Sequence, residues 1–141
     1  MPYLIDGSNV LGVLRLDRHD DNAKRMLIRQ LAGFARAKRT RVTCVFDGAQ
    51  PTNFGTHLGA VTVVFSGERS ADDVIVQRAA AGHGWTVVTA DRELANRVKR
   101  RQVEIVPSLA FTKQLNEAEK GTELVDDWEA YFSNEKNRTK F

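Results

Sequence analysis

The 141-residue chain has little cysteine, little proline, no long apolar run and little excess of either charge, and each shortage narrows what the protein can be. A single cysteine, Cys44, stands inside Val42-Thr43-Cys44-Val45-Phe46, so no intrachain disulfide and no cysteine-built zinc site can form. A reduced core thiol and no disulfide-linked partner are expected. No stretch nears the length of a membrane span, and Met1-Pro2-Tyr3-Leu4-Ile5-Asp6 has neither a basic n-region nor a long apolar h-region. A cytoplasmic protein without a membrane partner is expected. Three prolines, 8% aromatics and 28% charged residues give no disorder signature ahead of the tail. The 21 basic side chains only just outnumber the 18 acidic ones, and the net charge of +3 permits a polyanionic partner without requiring one.

What is present suffices for a core: 42% of residues are hydrophobic, and the length suits one domain. Short runs rich in β-branched residues at Tyr3–Ile5, Val42–Phe46, Val61–Phe65, Thr86–Thr89 and Val103–Val106 read as five strands. Several are apolar almost throughout, as strands covered on both faces are. A helical pattern runs from Asp20 to Lys38, with Leu27, Leu31, Phe34 and Ala35 on one face and Lys24, Arg25, Arg29 and Arg36 largely elsewhere. Further helices are predicted from Ala71 to Ala81, stopped by Gly82 and Gly84, from Arg92 to Arg101, and after Pro107. Gly48 to Ala60 reads as a loop near the shortest length that joins parallel neighbours, which leaves the local strand direction open. The alternation predicts an α/β fold, a three-layer α/β/α domain with a mainly parallel sheet of about five strands. Trp128, Tyr131 and Phe132 share a helical face that reads as core within an acidic stretch. The domain is therefore bounded at 1–133, and the polar, basic residues 134–141 form a frayed tail.

In an open parallel sheet the ligand crevice lies beyond the carboxyl ends of the strands. Aspartates stand at four such places: Asp6 after Leu4-Ile5, Asp47 after Val45-Phe46, Asp72-Asp73 a short loop after Phe65, and Asp91 after Thr89-Ala90. Each alone has an ordinary structural explanation. Asp6-Gly7 and Asp47-Gly48 are turn dipeptides whose glycine takes positive φ. Ser70-Ala71-Asp72-Asp73 has the form of a capping box with Asp73 reaching back, which leaves Asp72 free to face the crevice. Asp91 suits the N-cap of the next helix. Together the acids shift the balance, because anions at one sheet edge raise each other's pKa unless a cation neutralises them. Oxygen ligands without cysteine or paired histidines select Mg2+ or Mn2+. Such a centre suits phosphodiester cleavage, where the metal polarises phosphoryl oxygens and activates water.

Polar residues around these acids have two readings each. Asn9 can orient a phosphate, a water or the Asp6 loop, or it can cap a short helix. Arg69 and Arg92 suit either a phosphate or a neighbouring carboxylate. Thr89 and Ser70 offer hydroxyls to phosphate, Ser70 also a cap. Two basic clusters, Arg36-Lys38-Arg39-Arg41 and Arg97-Lys99-Arg100-Arg101, can track a nucleic-acid backbone, although helix C-termini favour cations in any protein. His57, in the glycine-bearing loop, is not expected to act as a catalyst.

The segments Leu4-Ile5-Asp6-Gly7-Ser8-Asn9-Val10, Val45-Phe46-Asp47-Gly48, Val63-Val64-Phe65-Ser66 leading to Ser70-Ala71-Asp72-Asp73, and Val88-Thr89-Ala90-Asp91-Arg92 occur in that order. They resemble the NYN domain family, in particular its YacP-like branch within the PIN-like nucleases, from about Pro2 to Leu115. The resemblance implies a PIN-like sheet, a divalent metal and endonucleolytic cleavage of RNA, with ribosome association a further expectation. In it Asp6, Asp72 and Asp91 match the family's acidic ligands, Asp47 a supporting acid and Asn9 a polar partner. The chain is compact beside the YacP-like pattern, which leaves substrate selection open. The alternative is a catalytically silent RNA- or ribosome-binding module of the same fold, against which the intact acids argue. Aspartyl-phosphate chemistry fits less well: a haloacid-dehalogenase site wants an acid where Ser8 stands, and a receiver wants a lysine where Val106-Pro107-Ser108 stands.

Overall fold

The computed structural model describes residues 2–99 and 103–118. Its elements in chain order are β1 (Tyr3–Asp6), α1 (Gly7–Val13), α2 (Asp21–Lys38), β2 (Val42–Phe46), β3 (His57–Leu58), β4 (Val61–Phe65), α3 (Ala71–Ala81), β5 (Thr86–Val88), α4 (Arg92–Val98) and β6 (Glu104–Val106). A further helix, α5, covers 108–118. The strands form one sheet in the order β3-β4-β2-β1-β5-β6, parallel throughout except for the β3–β4 pair. The fold is a three-layer α/β/α PIN-like domain with a mainly parallel sheet.

Successive strand residues point to opposite faces, and both faces are covered, which is why the strands are apolar nearly throughout. Ile5, Cys44, Phe46, Val63 and Val88 pack with α1, α2 and α5 residues such as Leu11, Leu31, Phe34 and Phe111. Leu4, Val45 and Val87 pack on the other face with Val74 and Ile75 of α3 and Leu94 of α4. Tyr3, Phe34 and Phe111 stack edge to face and tilted at 5.0–5.9 Å, fixing α2 and α5 over β1.

Four local features differ from the sequence expectation. The Gly48–Ala60 connection contains the two-residue strand β3, which folds back on β4 through Gly59 at φ +58 and gives the sheet's sixth strand. It does join parallel neighbours, because β2 and β4 run in register from Val42↔Val61 to Phe46↔Phe65. Asp6-Gly7 is not a turn: the chain passes directly from β1 into α1. Gly7 is needed for clearance, since a Cβ there would lie 2.6 Å from Phe46 Cε1 and 2.7 Å from Cys44 Sγ. Helix α4 stops at Val98, and Lys99 is extended. Lys24 is buried at 7% exposure, its ammonium 5.9 and 5.8 Å from the Phe46 and Phe65 ring centres and 3.5 Å from Asp21. Trp128, Tyr131, Phe132, the boundary at 133, the tail 134–141, Arg100 and Arg101 lie outside the described residues.

Candidate active site

From β1 the chain moves to β2 and β4 on one side, then crosses to β5 and β6 on the other, so the topological switch falls between β1 and β5. Asp6 ends β1 at that point and is only 5% exposed. The Thr89 hydroxyl, just past β5, donates to Asp6 Oδ2 at 3.1 Å and accepts from the Asp91 N–H at 3.1 Å. Asn9 uses its side-chain oxygen to accept from the Ala90 N–H at 2.9 Å and from the buried Ser108 hydroxyl. One amide and one hydroxyl therefore tie α1, the β5–α4 loop and the start of α5 to the Asp6 carboxylate.

On the other side of β1, Asp47 is exposed, and its Oδ1 accepts from the Ala71 N–H at 2.8 Å, drawing the start of α3 to the end of β2. Its own N–H donates to Ser8 Oγ at 3.2 Å, and the Gly48 N–H donates to Ser66 Oγ at 3.0 Å. Gly48, at φ +93, does take the positive-φ turn expected of it. Ser70 caps α3 by accepting from the Asp73 N–H at 3.0 Å. The Asp73 carboxylate is held by the Ser70 side chain and by Arg97 of α4, the latter at 2.9 Å. That exposed pair offsets part of the Arg97 charge in the basic cluster. Asp91 is the N-cap of α4, with Oδ1 accepting from the Glu93 and Leu94 N–H groups at 2.9 and 3.3 Å.

The charges show which acids belong together. Burial pushes the Asp6 carboxyl up to about 6; the Thr89 hydroxyl opposes the shift, the Asp72 charge adds to it, the Asn9 backbone N–H opposes it without closing a capping hydrogen bond, and the Asp47 charge adds a little more. Asp72 is raised by burial, then by the Asp91 and Asp47 charges, with Arg97 opposing. Asp73 goes the other way, held low chiefly by its hydrogen bond to Arg97. The Asp72 and Asp47 charges thus act on Asp6, and the Asp91, Asp47 and, least, Asp73 charges act on Asp72.

Among the described residues no three His, Cys, Asp or Glu side chains stand where they would jointly hold a metal ion. The donor set still fits a hard divalent cation. It is all oxygen, Asp6 and Asp72 are both raised by burial and by neighbouring carboxylates, and Mg2+ keeps several waters and needs only one or two carboxylates.

Arg69, Ser70 and Arg92 are exposed beside the Asp72 and Asp91 segments, and the Arg69 charge acts on Asp73. His57 lies on β3 at the sheet edge, its Nδ1 3.2 Å from Thr56 Oγ1, away from the acids. Ser8, Ser66, Ser108 and Lys24 were not singled out by the sequence. A hydroxyl two residues after a strand-end acid was the available signal for Ser8; the others are brought in by packing alone.

A doubly covered, mainly parallel sheet with aspartates beyond its strand ends is what a PIN-like domain requires. The family model of the YacP-like NYN domain matches residues 3–140, and the chain belongs to that nuclease-like family. The fold is similar to the crystal structure of Rae1 (YacP) from Bacillus subtilis, with a TM-score of 0.76 and 20% identity over 93% of this chain and 82% of that one. It is likewise similar to the W164L mutant of that protein, with a TM-score of 0.71 and 22% identity over 86% and 79% of the two chains. No curated protein matches. Among the described residues no helix is long and apolar enough to cross a membrane.

Proposed function

We propose that the protein is a divalent-metal-dependent endoribonuclease acting at the β1–β5 switch point. The observation that carries this reading is the nearly buried Asp6 carboxylate, gripped by Thr89 and crowded by the charges of Asp72 and Asp47. Asp6, Asp72 and Asp91 are the catalytic acids and would hold Mg2+ or Mn2+, with Asp47 in support. When bound there, the ion supplies charge neutralisation at the phosphoryl oxygens and lowers the pKa of water.

The chain's own residues do the positioning. Thr89 keeps Asp6 aimed and favours its ionised form, and Asp91 keeps its second oxygen for the crevice while Oδ1 caps α4. Arg69 and Arg92 supply charge for the flanking phosphates, and the exposed Ser70 hydroxyl, shared with Asp73, stands beside them. Asn9 fixes the two loops between which the RNA lies. RNA is thus the partner, with the ribosome a candidate setting and the cytoplasm the location that goes with it. The second reading, a catalytically silent RNA- or ribosome-binding module, draws on the acids' open arrangement. Cleavage of labelled RNAs, free and ribosome-bound, with Mg2+, Mn2+ or chelator separates the two. Wild type is expected to cut only with metal, and Asp6→Asn and Asp91→Asn to lose activity by on the order of a hundredfold or more. Homogeneous wild-type protein that never cuts above Asp6→Asn leaves the binding module.

A further inference from the structure

At the amino ends of the strands, opposite the acids, lies a groove of about 1570 Å3. One wall is α2 and the loop after it; the others come from the β3–β4 turn and the α3–β5 loop. Arg29, Arg36, Arg39 and Arg41 line it, all exposed, and no aspartate or glutamate does. Among the described residues none of the four arginines is in an ion pair. The α2 dipole accounts for a cation in the helix's last turn, hence for Arg36, but not for Arg29 two turns earlier or Arg41 beyond the cap. Between the charges lie the half-exposed Met26 and Leu58, and Trp85, whose buried indole N–H has no partner among the described residues.

The volume exceeds the roughly 300–1,000 Å3 of small-molecule pockets, so a polymer fits better than a metabolite. Arg29 and Arg36 are seven residues apart, roughly 10 Å along the helix, which spans about three phosphates of a stacked strand at ~3.4 Å each. Charges of one sign at that spacing, with apolar side chains between them, match a single-stranded nucleic acid.

We propose that this groove is a second contact surface for RNA, holding the phosphate backbone of a strand whose cleaved bond lies at Asp6; it rests on the ribonuclease reading. The five residues of β2 separate the groove from the acids by roughly 16 Å, about five nucleotides of stacked strand. A strand shorter than that engages one surface or the other. The groove therefore sets a minimum substrate length and acts on binding, leaving the chemical step alone. A competing occupant is the chain's own acidic stretch, with Glu119, Glu123, Asp126, Asp127 and Glu129.

The test is fluorescence anisotropy across a salt series with labelled single-stranded RNAs of about four and about thirty nucleotides, on an Asp6→Asn background that prevents cleavage. Adding Arg29→Glu and Arg36→Glu is expected to weaken binding of the long RNA by about tenfold or more. The slope of log K against log salt should flatten by roughly 1.4, two contacts at ~0.7 each. Affinity for the short RNA, which the acid site still holds, should fall by no more than about twofold, the loss of one of two alternative surfaces. Arg29→Lys with Arg36→Lys should keep both affinity and slope, and Arg78→Glu, exposed on α3 outside the groove, should leave the slope difference between the two RNAs intact. With Asp6 restored, the glutamate pair should raise KM for long RNA at unchanged kcat. Equal long-RNA affinity with and without the glutamate pair overturns the groove while leaving the acid site standing; no binding of either RNA by the parent overturns both. If the glutamate pair has no effect on long-RNA binding even after Asp126, Asp127 and Glu129 are neutralised, the RNA proposal is overturned.

Discussion

Replacing Asp6 with asparagine is expected to stabilise the protein at neutral pH and to leave it unchanged in acid. Folding carries this carboxyl from its ordinary 3.8 to about 6, so the native state binds the proton more tightly than the unfolded chain does. No penalty exists below the unfolded value. It grows as pH rises from about 4 to 6 and is complete above that, so stability falls across the window. A shift of about two units corresponds to about 3 kcal/mol at roughly 1.4 kcal/mol per unit. An asparagine with its oxygen toward Thr89 keeps that hydrogen bond and removes the buried charge. Urea unfolding in chelator at pH 8 should therefore show the variant more stable by up to about 3 kcal/mol, several degrees in Tm, with unchanged m; at pH 4 the two should coincide. Millimolar Mg2+ or Mn2+ should then raise the wild type and not the variant, because bound cation neutralises what the substitution deletes. A variant less stable than wild type by the same amount at both pH values would refute the account, since its loss would then be one of packing.

Three further outcomes are expected. Thr89→Val removes the hydroxyl that favours ionised Asp6, so the acid limb of the pH–rate profile should move up by about one unit and Thr89→Ser should restore it; an unmoved limb contradicts the positioning role. Gly7→Ala drives a methyl into Phe46 and Cys44 and should lower stability by about 1–3 kcal/mol in denaturant titration, whereas a neutral result means the strand-to-helix junction yields. Cys44 is fully buried, and burial pushes its thiol far above the ordinary range, so thiol reagents should label it only at the rate of unfolding; rapid native labelling contradicts this.

The sheet was legible because strands buried on both faces leave unbroken apolar runs, and α2 because its apolar stripe persists to the left-handed cap at Arg39. Helix α1 was not legible: Gly-Ser-Asn-Val-Leu-Gly-Val is short and glycine-bounded, and its glycine is set by side chains from β2 that no local pattern announces. β3 has two residues, too few for any period to register. At the site, the positions of Asp6, Asp47, Asp72 and Asp91 followed from strand ends alone. What did not follow were their partners, because Thr89 meets Asp6 across 83 residues and Arg97 meets Asp73 across two helices. Sequence spacing places an acid at an edge; only the tertiary structure decides whether it is buried, paired or crowded.

The Asn9 oxygen, shared between Ala90 and Ser108, also sets an order of assembly. Its two donors come 81 and 99 residues later in the chain. During synthesis the first acid emerges at once, but the support behind it is complete only after α5 has left the ribosome and docked. The end of β1 that carries Asp6 is thereby held by segments from both ends of the described chain, and it reaches its final form only when α5 is in place.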